Sequence, residues 1–175
     1  MGPAAFHRAL VLGGIRSGKS EYGEQLVAVA PRVRYIATAR RDPSDREWAA
    51  RIAVHRARRR GDWETVEVGA RPATLLELLT SADTDDTLLV DDLGTWVASV
   101  MTDAPHLLGE ALADAVTSCS ATLVLVSPEV GLSVVPATAA GRTFADALGA
   151  TNRAVAARCD TVTLVVAGIP VPVKP

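Results

Sequence analysis

The sequence predicts an α/β fold: a mostly parallel sheet with helices on both faces and an antiparallel edge at its C-terminal end. Three observations lead there. Apolar runs of strand length alternate with helix-length segments along the chain. The runs at 87–90 and 121–126 are continuously apolar, as in strands buried on both faces. The first run ends in a glycine-rich turn that leads straight into a helical pattern.

The elements follow in order. Residues 9–12 form the first strand, and a helix runs from Lys19 to Val29, stopped by Pro31. Residues 33–36 are the second strand. A polar loop with Pro43 covers 38–45, and a helix covers 45–59 with Trp48 and Ile52 facing a neighbour. A short strand spans 63–68 and a helix 73–79. The strand at 87–92 ends in two carboxylates, Asp91 and Asp92. Helices are expected over 95–101 and 107–118. The most hydrophobic strand is 121–127, and a loop with Pro and Gly covers 128–137. A long helix spans 140–157, with Gly149 as a weak point. Residues 161–166 form a late strand. Residues 171–174 form a last one, whose prolines suit only an edge. No internal repeat, linker or low-complexity tail interrupts this pattern, so residues 1–175 read as one domain.

A chain of 175 residues can bury a sizeable core without disulfides. Its hydrophobic share of 49% excludes a disordered chain. Aromatics make up only 4%, so Val, Leu, Ile and Ala must build the core. A net charge of -2 argues against a nucleic-acid surface. The basic stretch 51–60 is the local exception, and it lacks the interleaved aromatics of a nucleic-acid patch. Cys119 and Cys159 have no second thiol at metal spacing and read as small buried hydrophobes. Residues 1–8 lack the regions of a signal peptide. No apolar run reaches the ~18 residues of a membrane span. The expected location is the cytoplasm.

The chemistry concentrates first in Gly13-Gly14-Ile15-Arg16-Ser17-Gly18-Lys19-Ser20. The spacing G-x4-G-K-S is that of a P-loop, whose glycines let backbone N–H groups turn inward onto phosphate oxygens. The helix that follows adds its positive end. Lys19 would reach the β- and γ-phosphates, and the Ser20 hydroxyl would ligate Mg²⁺. An acid at the end of a nearby strand must complete the magnesium shell. Asp91 fits, and strand alternation turns only one of Asp91 and Asp92 toward the phosphates; the other reading of these acids is that they only cap the next helix. The P-loop, the loop after residue 36, Asp91 and the loop after residue 127 all follow strand ends. They are therefore expected to converge on one edge of the sheet. The expected fold is accordingly a P-loop NTPase.

His55 lies in Arg51-Ile52-Ala53-Val54-His55-Arg56-Ala57-Arg58-Arg59-Arg60. One reading is a solvated basic face with an incidental histidine. The other is nucleotidyl transfer: a neutral imidazole attacks phosphorus, and the arginines stabilise the charge that develops.

The ordered motifs resemble the bifunctional adenosylcobinamide kinase / adenosylcobinamide-phosphate guanylyltransferase family of cobalamin biosynthesis. The resemblance runs over nearly the whole chain. It starts with the G-G-x-R-S-G-K-S loop at 13–20 and continues through Tyr35-Ile36-Ala37-Thr38-Ala39. Arg51-Ile52, His55-Arg56 and Trp63-Glu64-Thr65-Val66-Glu67 follow. Leu89-Val90-Asp91 with Thr95-Trp96 matches the family's L-V-D-x-L-T-x-W segment. Glu129-Val130-Gly131-Leu132 with Val135-Pro136 is similar to its E-V-G-x-G-x-V-P loop. Arg142, Phe144, Asp146, Leu148-Gly149 and Asn152 lead to Leu164-Val165-Val166-Ala167-Gly168-Ile169-Pro170.

The resemblance implies a RecA-like sheet, a homotrimer and two reactions. A nucleoside triphosphate, ATP or GTP with Mg²⁺, phosphorylates the aminopropanol hydroxyl of adenosylcobinamide. A histidine then takes GMP from GTP and passes it to the phosphate of the first product. By position His55 carries the GMP. Ala37, Thr38, Ala39, Arg56, Ala57, Arg58, Arg59 and Glu67 fall at nucleotide-contacting positions, with Glu67 expected to help select guanine. The sequence also departs from the pattern. Val54 stands where many members have a first histidine, and Arg60 where Pro is frequent. Pro128 stands for Asn, Gly94 for Thr and Ser133 for Gly. Two other functions fit parts of the sequence. A single-function P-loop kinase of another small alcohol would leave His55 idle. A GTP-binding switch module would carry an Asn-Lys-x-Asp run, and the sequence has none.

Overall fold

The computed structural model describes residues 6–39, 61, 63–69, 71, 73–101 and 105–175. The helix expected over 45–59, with His55, lies outside these residues.

Seven strands form one sheet among the described residues: β1 (Arg8–Gly13), β2 (Val33–Ala37), β3 (Glu64–Glu67), β4 (Thr87–Asp91), β5 (Thr122–Pro128), β6 (Thr161–Val166) and β7 (Ile169–Lys174). Their order is β3-β2-β4-β5-β1-β6-β7. Every pairing is parallel except that of β6 with β7, which makes the expected antiparallel edge. One strand, β5, stands between β1 and β4, which is the RecA-like arrangement.

The helices among the described residues are α1 (Lys19–Val27), α2 (Thr74–Thr80), α3 (Leu93–Val100), α4 (Pro105–Ser118) and α5 (Ala139–Arg158). They divide between the two faces because alternation sends neighbouring strand residues to opposite sides. Ala9, Val11, Tyr35, Leu89, Val124 and Val126 form the cluster with Val27 of α1. Leu10, Ile36, Leu88, Val90, Leu123 and Leu125 form the other cluster, with Leu75, Leu79, Trp96, Leu112, Leu148 and Val155 of α2–α5. Both cysteines are buried there as free thiols, as their isolation in the sequence predicts. Burial pushes the Cys159 thiol up to about 12, so it is inert at neutral pH.

Element ends differ from expectation for identifiable reasons. α3 starts at Leu93 rather than 95 because the Asp92 carboxylate accepts the Thr95 N–H and caps it. α4 starts at Pro105, whose missing N–H is harmless in a first turn. α5 runs through Gly149 without a break. Ala147, Leu148, Thr151 and Asn152 are buried on either side of that glycine, and tertiary packing outweighs its low propensity. The start of β1 is tied down by Asp160, whose carboxylate accepts the His7 and Arg8 N–H groups at 2.9 and 2.8 Å. The Arg8 N–H, first among several contributions, holds that carboxyl below its ordinary range.

α1 lies close on the sheet because Gly23 faces it. A Cβ at this position would come within 2.8 Å of Val126 Cγ2 and 3.4 Å of Leu89 Cδ1. Gly23→Val should therefore lower stability by about 1–3 kcal/mol through overpacking. It should also weaken ATP binding, since α1 carries Lys19 and Ser20. Urea unfolding beside a nucleotide titration checks both, and wild-type behaviour in both would show that the close seat is unimportant.

Candidate phosphate and nucleotide site

The P-loop leaves the C-terminal end of β1 and closes at the start of α1. Two of its residues have left-handed backbone, Arg16 at φ 57° and Gly18 at φ 93°. Only glycine adopts the second value without strain. Such reversals aim successive N–H groups into one concavity, a nest for an anion. Ser17 N–H donates to Gly14 O at 3.2 Å, and Lys19 Nζ reaches back to Gly14 O at 3.4 Å. Ile15 and Arg16 stand exposed at the loop's apex, whereas Ser17 is buried. The turn between β6 and β7 braces the loop from the side: Gly168 N–H donates to Ser17 O at 2.8 Å. That turn is tight, with Ala167 at φ 50° and Gly168 at φ 80°.

Ser20, in the first turn of α1, donates from Oγ to Asp91 Oδ1 at 3.1 Å. α1 crosses over β5 to make this contact, so the two residues meet although their strands are not neighbours. The Tyr35 hydroxyl donates to the other oxygen, Asp91 Oδ2, at 2.6 Å. A hydroxyl and a carboxylate at this spacing are hard oxygen donors suited to Mg²⁺, which binds through few protein groups and takes the rest from phosphate and water. Asp92 is placed differently. Its side chain caps α3, and burial, with the Asp91 charge next, raises its carboxyl above the ordinary value.

Thr38 is buried just past β2, and its hydroxyl donates to Asp92 O at 2.6 Å and pairs with Thr95 Oγ1. Ala37 lies opposite Asp91 in register, and Ala39 follows on the same edge. The loop after β5 joins the site through Glu129 N–H, which donates to Gly13 O at 3.0 Å. Asn152 of α5 holds that loop. It accepts from Ser127 Oγ at 2.6 Å and donates to Pro128 O at 3.0 Å.

Gly13, Gly14, Ile15, Arg16, Ser17, Gly18, Lys19, Ser20 and Asp91 are thus brought together, with Ala37, Thr38 and Ala39 one strand further on. Glu67 ends β3 on the same sheet edge, but four strand spacings from β1, about 19 Å at ~4.8 Å each. His55, Arg56, Ala57, Arg58 and Arg59 lie outside the described residues. Tyr35, Thr95, Asn152 and Gly168 belong to the motifs of the resemblance, yet sequence reasoning gave them no role. For Tyr35 a local signal existed: a buried-strand phenol two residues before the strand's end.

Known proteins resemble this chain over most of its length. Residues 9–173 match the family described as “Cobinamide kinase / cobinamide phosphate guanyltransferase”. The chain is 42% identical over 173 residues to the “Bifunctional adenosylcobalamin biosynthesis protein CobP” of Pseudomonas aeruginosa, covering 95% of this chain and 97% of that protein. It is 37% identical to the proteins called CobU, under the same description, in Escherichia coli and Salmonella typhimurium, covering 94% of this chain and 98% of each. Among solved structures, the P4 protein from bacteriophage phi6 in complex with ADP matches with a TM-score of 0.48 and 13% identity. That match covers 95% of this chain and 54% of the phage chain.

Two of the departures prove to be spatial neighbours. A Cβ on Gly94 would come within 2.6 Å of Pro128 Cγ, so the Pro128 ring fills the space a side chain at 94 would take. Gly94→Thr alone should destabilise by about 1–3 kcal/mol. Gly94→Thr with Pro128→Asn should recover most of the loss. A double-mutant cycle from denaturant unfolding reads this coupling, and additive effects would show that the two positions are independent.

Proposed function

The chain belongs to the cobinamide kinase / cobinamide phosphate guanyltransferase family, and from that premise we propose how it carries out the two reactions. The first is phosphorylation of adenosylcobinamide. The hydroxyl oxygen of its aminopropanol arm attacks the γ-phosphorus of ATP or GTP, the nucleoside diphosphate leaves, and the hydroxyl proton passes to solvent. The P-loop N–H groups and Lys19 hold the β- and γ-phosphates and stabilise the charge that develops. Ser20 and Asp91 would hold Mg²⁺, which when bound neutralises phosphate charge. The observation that carries this half is the Ser20–Asp91 contact at 3.1 Å beside the loop.

In the second reaction a nitrogen of neutral His55 attacks the α-phosphorus of GTP. A phosphoramidate forms and pyrophosphate leaves. A phosphate oxygen of adenosylcobinamide phosphate then displaces the imidazole, giving adenosylcobinamide-GDP and free His55. Arg56, Arg58 and Arg59, with the Ala57 backbone, contact the nucleotide, as do Ala37, Thr38 and Ala39.

The same reading assigns the corrinoid to the loop after β5, where Leu132, Val134 and Val135 are exposed. The molecule is read as a single P-loop domain forming a cytoplasmic homotrimer. Ile169, Val171 and Val173, exposed along edge strand β7, offer apolar surface for contact between copies. No helix among the described residues is long and apolar enough to cross a membrane. The near-neutral charge gives no reason to expect nucleic acid.

The test incubates wild type and His55→Ala with Mg²⁺ and GTP radiolabelled at the α-phosphate, then runs denaturing electrophoresis. An acid-labile, base-stable label in wild type alone is expected, with kinase activity retained in the variant. An unlabelled wild type that still transfers the γ-phosphoryl group would leave a P-loop kinase of a small alcohol, with His55 part of a basic face. Glu67→Gln should erode the preference for GTP over ATP in the labelling step by about tenfold, in line with the ~1.5–3 kcal/mol of a hydrogen bond to a charged group. Unchanged selectivity would remove Glu67 from guanine recognition.

A further inference from the structure

We propose that Tyr35 is a positioning residue for the acid of the magnesium shell. Its phenol fixes the Asp91 carboxylate so that Oδ1 is presented to Ser20 and to the cation. The inference rests on the P-loop reading above and adds to it a residue in the middle of a strand, below the loop edge.

The geometry carries it. Tyr35 pairs in register with Leu89, and Ala37 with Asp91. Alternation puts all four on the face that α1 covers. The ring belongs to the apolar cluster beneath α1 and is 3% exposed. Ala37, next on that face, carries only a methyl, which leaves the diagonal from residue 35 to residue 91 open. Along it the hydroxyl reaches Asp91 Oδ2 at 2.6 Å, a length typical of an O–H donor on a charged carboxylate.

A carboxylate turns easily about its last bond, where the torsional wells are broad. With Oδ2 held by Tyr35 from within the sheet, Oδ1 is the oxygen that meets Ser20 Oγ at 3.1 Å. Without the phenol, either oxygen could face the phosphates, and ordering the site would have to occur on each binding event. Partners that orient a metal's ligand typically matter about 10–100-fold in metal affinity. A purely structural account is that a buried phenol simply needs an acceptor. The two accounts differ in what Mg²⁺ reports.

The experiment uses the full chain with a fluorescent ATP analogue. Binding is measured in EDTA and across a Mg²⁺ titration for wild type, Tyr35→Phe, Asp91→Asn and the double variant. Phe keeps the ring and removes the hydroxyl. The expected result is a Mg²⁺ midpoint raised about tenfold in Tyr35→Phe, with metal-free affinity unchanged within about twofold. In the Asp91→Asn background the Tyr35 substitution should shift the midpoint no further. An unmoved midpoint, or equal weakening with and without Mg²⁺, overturns the proposal. So does a Phe variant that fails to fold, which makes the phenol structural. If wild type itself binds nucleotide with no dependence on Mg²⁺, the magnesium role of Ser20 and Asp91 falls, and Tyr35's role falls with it. Mg²⁺-dependent wild type with an unmoved variant removes Tyr35 alone.

Discussion

The close approach of α1 to the sheet is the constraint on which the rest depends. The strand that ends in the P-loop and the strand that ends in Asp91 are not neighbours, since β5 runs between them. Something has to cross that strand if a hydroxyl from one side is to meet a carboxylate on the other. α1 does so because residue 23 has no side chain to hold it off Val126 and Leu89. A helix raised by one methyl group would lift Ser20 with it. The apolar cluster beneath α1 is thus part of the site's geometry, and the hydroxyl–carboxylate contact is its outcome.

Much of this was legible in the sequence, where the signals are local. G-x4-G-K-S between an apolar run and a helix specifies a loop, a cradle and a cation's hydroxyl ligand within eight consecutive residues. Asp91 was legible as the last residue of a buried strand. The alternation of strands and helices gave the α/β class, and the prolines of 170 and 172 gave the edge. What escaped were contacts that depend on which strands lie side by side. Tyr35 and Asp91 are 56 positions apart, Thr38 and Thr95 are 57 apart, and no periodicity connects them. Asp92 was legible as an acid, with capping of the next helix as one of its readings, and the Thr95 backbone N–H is the partner it takes.

The departures from the family's motifs are also easier to interpret in three dimensions. Gly94 and Pro128 look unrelated along the chain, one on α3 and one at the end of β5. Side by side they exchange volume: the ring of one occupies the place left by the other. Asn152 then fixes the carbonyl of that same proline from α5, with Ser127 tied to its other end. The loop after β5 therefore leaves the sheet from a junction buttressed by two helices. That suits a surface which must keep its shape while presenting exposed Leu132, Val134 and Val135.

The hydrogen bond from Gly168 to the Ser17 carbonyl has a wider consequence. A trans peptide is planar, with its carbonyl and its N–H pointing opposite ways. Holding the Ser17 carbonyl outward, toward the hairpin, turns the Gly18 N–H inward, toward the anion. The direction of one amide dipole in the cradle is therefore dictated by the last turn of an edge hairpin. That hairpin is the outermost part of the sheet and carries exposed apolar residues along β7. A sliding or twisting displacement of the edge relative to β1 would rotate that dipole. In this fold the rim of the sheet and the grip on phosphate are mechanically one part.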